Sequence, residues 1–325
     1  MWAVLLLKKI LSSIYPMENI KPKTNLYDLA GQNIRKTWLL FAVFVAIVIG
    51  LGYYLSIYYN SPAILYGAIF FAIFQSVLSY WFSDKIVLSM TGAKKASRED
   101  NRELWNIVEN LSITAGLPMP KVYIINDPVP NAFATGRDKK HAVVAVTTGI
   151  LSILNKVELE GVIAHELSHI GNKDMLVSTV VVVLVGFITL LSDMFMRSQI
   201  FRGGNSENRS GGGEVKGVLL IVGMVLMILS PIIATLIQLS ISRRREYLAD
   251  ASGALLTRYP EGLASALEKI GANSGKMKLA NNATAHLFIS NPFGVTGGKI
   301  GNTIQNLFST HPPIEKRIAV LRKSL

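Results

Sequence analysis

Residues 156–175 read KVELEGVIAHELSHIGNKDM, and His165, Glu166 and His169 within them spell H-E-x-x-H. An α-helix repeats every 3.6 residues, so positions i and i+4 set both imidazoles on one face, about 6 Å apart. That separation suits two nitrogen ligands of a tetrahedral metal ion such as Zn²⁺. Glu166, one residue along, cannot ligate from the same face, but it can reach a water at the metal, where a general base belongs. Val162, Ile163, Leu167 and Ile170 supply an apolar stripe, and Gly171-Asn172 marks a helix end. The competing reading, two solvated histidines on a surface helix, weakens once a third ligand is found.

The rest of the chain is too apolar for a soluble domain. Of its 325 residues 50% are hydrophobic and 17% charged, with a mean hydropathy of +0.38, whereas soluble domains carry about 25% charged residues. There is no cysteine, so disulfides and thiolate ligands are excluded, and a metal must be held by His, Glu or Asp. The net charge is +12. Beside membrane spans, such basicity fits anionic lipid headgroups, and no zinc-knuckle, RNA-recognition or basic-zipper pattern points to nucleic acid.

Four apolar runs predict four transmembrane helices. Residues 38–59 and 62–82 read as a hairpin turned at Asn60-Ser61, the first run carrying no charge and reaching about 33 Å, enough for a ~30 Å hydrocarbon core. Tyr53, Tyr54, Tyr58 and Tyr59 read as an interfacial aromatic belt. Residues 175–242 read as a second hairpin, with spans at about 175–196 and 217–242 and a Gly- and Ser-rich far-side loop between them. Asp193, near the far end of the third span, reads as an interfacial carboxylate.

The remaining segments read as follows. Residues 1–37 form an arm on a membrane face, because MWAVLLL is too short to span and its charges follow it rather than precede it. Residues 83–174 hold the first catalytic part: a helix around 98–115, short strands at 121–127 and 141–149, a candidate edge strand over 131–136, then the H-E-x-x-H helix. Residues 243–325 hold the second catalytic part, with loop over 273–312 and an amphipathic helix at the end. The expected fold is thus a mainly α membrane protein carrying a zincin-like α+β catalytic domain with a small sheet.

Membrane crossings select the third ligand. A metzincin would need His at position 175, which is Met175. A carboxylate about twenty residues on would fall inside the third span. Asp174 is too close to His169 to close a tetrahedron, and reads as a helix-end or supporting group. Glu207 and Glu214 lie across the bilayer from the site. The chain returns at Arg243, and the first carboxylate there is Glu246, the predicted third ligand. Asp250 follows at i+4 on the same face, suited to accept an imidazole N–H and fix its tautomer. Lysine and arginine in the arm, together with Arg243 to Arg245, orient the site toward the cytoplasm, with Arg197, Arg202, Arg209 and Lys216 weighing against this.

HELSHIGNKDM (165–175), RRREYLAD (243–250), PNAFATGR (130–137) and THPPIEKRI (310–318) occur in an order that resembles the HtpX-type membrane-integrated zinc endopeptidases, gluzincin relatives of the CAAX prenyl endopeptidases. The resemblance runs from about residue 85 to the end. It implies one Zn²⁺ per chain on His165, His169 and Glu246, with Glu166 as base, and a role in proteolytic quality control of membrane proteins in the cell membrane. Membrane-protein substrates, the bilayer and self-cleavage are its implied associations. It also implies that the strand at Asn131, Ala132, Phe133 and Ala134 takes substrate backbone by strand addition, against a plain structural edge strand. For His311 and Arg317 it leaves two roles, a structural bridge to the site or stabilisation of the oxyanion. His141 and His286 stay unassigned. The alternative from another class is a multi-span transporter or scaffold with a structural metal; the near absence of ionisable groups within the spans argues against it.

Overall fold

A computed structural model describes residues 26–186, 243–281, 283–294 and 312–323. Most of the arm, the later part of the third span with Asp193, the far-side loop, the fourth span and His311 lie outside the described residues.

Helices α1 (Leu26–Tyr58) and α2 (Pro62–Trp81) form the first hairpin. Asn60 takes a left-handed φ of 48° at the turn, and Pro62 opens α2, where its missing N–H costs nothing. Within α1, the 26-residue stretch Asn33–Tyr58 contains an 18-residue window of mean hydropathy 2.4, and the 20 residues of α2 contain one of 1.7. Both are long and apolar enough to cross a membrane. Tyr54, Ile57, Tyr66, Phe70 and Phe74 point away from the protein, half or more exposed, a continuous apolar face that fits hydrocarbon rather than water. The arm does not end where the apolar run begins: residues 26–37 are the first turns of α1, and Asn33 and Thr37 are buried.

After α3 (Ser83–Thr91), a four-stranded sheet forms from β1 (Lys94–Lys95), β2 (Lys121–Ile125), β3 (Ala132–Gly136) and β4 (Ala142–Thr147), in the order β1-β2-β4-β3. β2 and β4 run parallel; β3 joins β4 antiparallel, in register Ala132↔Val146 to Gly136↔Ala142. β3 therefore lies at a sheet edge.

The strands alternate between two cores, as a period of two requires. Val122, Ala132, Ala134, Val144 and Val146 face α4 (Arg102–Thr114), α6 (Lys156–Gly171) and α9 (Pro260–Ala272). Phe133 and Ala145 face Val177 and Val181 of α7 (Asp174–Gly186), together with Met277 and Phe288. A short α5 (Thr148–Ile153), α8 (Arg243–Thr257) and a closing α10 (Ile314–Lys323) complete the first of these cores with Ile150, Ala254 and Leu321.

Helix α6 starts with a capping box. Asn155 Oδ1 accepts the Glu158 N–H at 3.0 Å, while Glu158 Oε2 accepts the Asn155 N–H at 2.9 Å. It ends near the expected Gly171-Asn172. There Lys173 adopts a φ of 57° and the chain turns through 84° into α7. α7 is the beginning of the third apolar run, and its side chains from Met175 to Val185 are largely buried. Phe41 and Phe44 of α1 pack on Leu176, Val180 and Leu184, fastening the first hairpin to α7.

Candidate metal centre

α6 is buried along most of its length, with His165 1% and Glu166 2% exposed. This removes the reading of two solvated histidines on a surface helix. Nε2 of His165 lies 3.2 Å from Nε2 of His169. Glu246, in the first turn of α8, brings Oε2 to 3.7 Å from His165 Nε2 and Oε1 to 3.7 Å from His169 Nε2. Four ligands at tetrahedral angles and bonds of 2.0–2.2 Å stand about 3.3–3.6 Å apart. Each imidazole is met by its own oxygen of the one carboxylate, and one ligand atom from each of the three residues lies within 4.8 Å of the others, so the donor set of two imidazoles and one carboxylate suits a divalent ion with one position left over.

Each histidine is gripped at its other nitrogen. Nδ1 of His165 lies 2.9 Å from Asp250 Oδ1, and Nδ1 of His169 lies 3.4 Å from Asp174 Oδ2. These carboxylates hold Nδ1 protonated and turn Nε2 toward the shared centre. Asp250 is in turn bound by Arg317, whose Nε donates to Oδ2 at 2.9 Å and Nη2 to Oδ1 at 2.6 Å. Arg317 is fully buried. Its Nη1 donates to the Ile289 carbonyl at 3.3 Å, and Nη2 stands 3.5 Å from the His165 ring.

The electrostatics match this arrangement. Burial pushes the His165 pKa down to about 4, despite the pull of Asp250, which leaves a neutral imidazole ready to ligate. For His169 burial acts downward too, but the Asp174 bond and the charges of Glu246, Asp174 and Glu166 outweigh it and lift the pKa to about 9. A field that favours a proton there also favours a metal cation, which would displace the proton. Burial raises Glu166 to about 7. Burial also acts upward on Asp250, but Arg317 and His165 hold it far below the usual carboxylate range.

The sequence-selected strand lies beside this centre. The backbone N–H of Ala134 faces the Glu166 carboxylate and favours its charged form, which sets β3 beside the H-E-x-x-H helix. Asn131, Ala132, Phe133 and Ala134 are all buried. The outward carbonyl of Ala132 accepts the Ile289 N–H at 2.9 Å. The Asn131 side chain holds both the N–H and the carbonyl of Ser290, at 3.1 and 2.9 Å. β3 therefore carries the Phe288–Ser290 segment on part of its edge. Of the unassigned histidines, His141 pairs with Asp138 at 2.8 Å beside Arg137, and His286 packs its Nε2 3.2 Å from the Ser178 carbonyl.

Two site residues escaped the sequence reading. Gly253 sits on the Glu246–Asp250 face of α8, where a Cβ would come within 2.9 Å of the His165 backbone nitrogen; the i, i+4, i+7 spacing was its available signal. Asn33 of α1 donates to Asp174, and its only signal was a lone amide near an apolar run.

A family model described as Peptidase family M48 matches residues 98–325. The chain is 48% identical over 303 residues to a Protease HtpX homolog of Caldanaerobacter subterraneus subsp. tengcongensis, covering 92% of this chain and 98% of that protein. A Protease HtpX homolog of Thermoanaerobacter pseudethanolicus is 47% identical over the same shares. One of Pyrococcus furiosus is 49% identical, covering 89% of this chain and 94% of its own length. Among solved structures, the crystal structure of S. mikatae Ste24p aligns with a TM-score of 0.47 at 17% identity, over 91% of this chain and 67% of that one. Because the family match takes in both halves of the metal centre, and the relatives stay this similar along most of the chain, the protein belongs to peptidase family M48 as an HtpX-type membrane metalloprotease.

Proposed function

We propose that the chain is a membrane-embedded zinc metalloendopeptidase that hydrolyses peptide bonds of misfolded or damaged membrane proteins at the cytoplasmic face. The observation that carries this reading is the cluster of His165, His169 and Glu246, with the two Nε2 atoms 3.2 Å apart and each 3.7 Å from an oxygen of the Glu246 carboxylate. His165, His169 and Glu246 would hold one zinc ion. When bound, zinc supplies a Lewis acid for the scissile carbonyl and its attacking water.

The protein's residues do the rest. Glu166, neighbour of ligand His165 and raised toward neutrality by burial, takes the proton of the attacking water and delivers it to the leaving amine. Asp250 and Asp174 keep the ligand rings in one tautomer. Arg317 has its guanidinium engaged with Asp250, Ile289 and His165, which favours the structural bridge over the oxyanion role. Strand addition at Ala132 requires the Phe288–Ser290 segment to part from β3, since Ile289 now holds that carbonyl. The lipid-facing hairpin beside the site supports substrates that are themselves membrane proteins.

The test is zinc content and casein cleavage in detergent for the wild type and Glu246→Ala. One zinc per chain and cleavage in the wild type, with both lost in the variant, supports the three-ligand protease. A variant that keeps zinc and activity would reduce Glu246 to an ion-pair partner of the arginines around it.

A further inference from the structure

The Asp174 carboxylate is held from the membrane hairpin as well as from the catalytic part. Its Oδ2 faces His169 Nδ1 at 3.4 Å, while Oδ1 accepts from Asn33 Nδ2 at 2.5 Å and lies 3.5 Å from Arg245 Nη1. Asn33 is 3% exposed and is the first residue of the candidate span Asn33–Tyr58 of α1. Its amide also donates to the Asn172 carbonyl at 3.2 Å, so both amide hydrogens are committed. The two acceptors flank Lys173, where the chain turns from the metal helix into α7. One side chain of α1 thus pins both sides of the bend that begins three residues after His169.

The chemistry of the pin matters. A neutral amide fixes the direction of a carboxylate without bringing a charge of its own. Arg245 is the competing partner on the same oxygen. Without the amide, Oδ1 is free to turn toward the guanidinium, and the 3.4 Å contact to His169, already at the long end for a hydrogen bond, is the one that suffers.

We infer that Asn33 is a positioning residue for the metal centre: from membrane helix α1 it orients Asp174, and through Asp174 the ligand His169. The inference rests on reading His165, His169 and Glu246 as a zinc site. It makes zinc affinity depend on how α1 is seated against the catalytic part.

The experiment compares full-length wild type, Asn33→Leu and Asn33→Gln in detergent. Zinc affinity is read by competition with a chelator, at a temperature where each apoprotein is fully folded, and apoprotein unfolding midpoints are read separately. Asn33→Leu keeps the size and removes the donors; its zinc affinity is expected to fall roughly tenfold or more, the range seen when a ligand's hydrogen-bond partner is lost. Asn33→Gln retains the donors one methylene further out and is expected to recover part of that loss. Wild-type zinc affinity in Asn33→Leu, whatever its unfolding midpoint, would overturn the positioning role and leave Asn33 a structural contact. Equal loss in both variants would overturn it as well. A wild type that binds no zinc fails the metal reading itself, a result separable from either.

Discussion

Arg317 and Asp250 form a buried two-point contact, Nε to Oδ2 at 2.9 Å and Nη2 to Oδ1 at 2.6 Å, and Oδ1 is also the atom that faces His165. Arg317 is 0% and Asp250 1% exposed, so neither charge has water to fall back on. Asp250→Ala strands the guanidinium, which for a buried pair costs about 3–5 kcal/mol of stability. It also frees the His165 ring, for a zinc-affinity loss of roughly 10–100-fold. Arg317→Lys should fail to rescue the site, because an ammonium lacks the planar fork that meets both oxygens. Thermal unfolding with and without zinc separates the two effects; unchanged zinc affinity in Asp250→Ala would deny it the orienting role.

Glu166→Gln should leave zinc bound and abolish cleavage. The amide keeps the shape, and Glu166 contributes no atom to the His165–His169–Glu246 triangle. What it loses is the ability to take and return a proton, commonly worth at least 10²–10⁴ in rate. Zinc analysis and peptide hydrolysis on the same preparation decide it, and loss of zinc with this change would contradict the role given to Glu166.

What the sequence revealed, and what it hid, follows from the range of the interactions. The His165–His169 face needs only the helical period, so it was readable. Glu246 rests on a count of expected membrane crossings, and it does cluster with the two imidazoles, although the residues between 187 and 242 on which that count relies lie outside the described residues. Asn155 and Glu158 carried a local N-x-x-E capping signature that was open to the same reading. Lys94 and Lys95 carried none: two exposed lysines join the sheet through backbone pairing with Tyr123 and Ile124. The extension of α1 back to Leu26 and the role of Asn33 depend on how α1 docks against α7. No periodicity within either helix encodes that docking.

Gly253 sets how closely α8 approaches α6. A Cβ there would meet His165 N at 2.9 Å and His165 Cα at 3.1 Å, backbone atoms that cannot step aside. Gly253→Ala must therefore shift α8, and Glu246 and Asp250 move with it. The expected cost is roughly 1–3 kcal/mol of stability, as for overpacking generally, with zinc affinity falling at the same time. Because a Gly→Ala change in a helix otherwise stabilises by about 1 kcal/mol, a more stable variant with wild-type zinc affinity would show that the helices have room.

Glu158 should give the fold an acid-sensitive component at a distance from the metal. Its carboxylate accepts from Asn155 N at 2.9 Å, Ser265 Oγ at 2.7 Å and Lys269 Nζ at 2.8 Å, joining the start of α6 to α9. Burial acts to raise its pKa, but the Lys269 bond, the Asn155 N–H and the Ser265 hydroxyl outweigh burial and hold it below the ordinary 4.5. A carboxylate whose folded pKa is depressed stabilises the fold fully above its unfolded pKa, and that contribution is lost as pH falls through the folded pKa. Wild type should therefore lose stability as pH drops below about 4.5, the unfolded reference. Glu158→Gln has no proton to gain, so its stability should be lower near neutrality, by roughly 1–3 kcal/mol for a charged hydrogen-bond acceptor, and should vary less over the acid range. Lys269 is 42% exposed, so added salt should screen only the part of this difference that comes from its charge. Denaturant unfolding of both proteins between pH 7 and pH 3 measures it; parallel pH curves would mean that Glu158 titrates alike in the folded and unfolded chains.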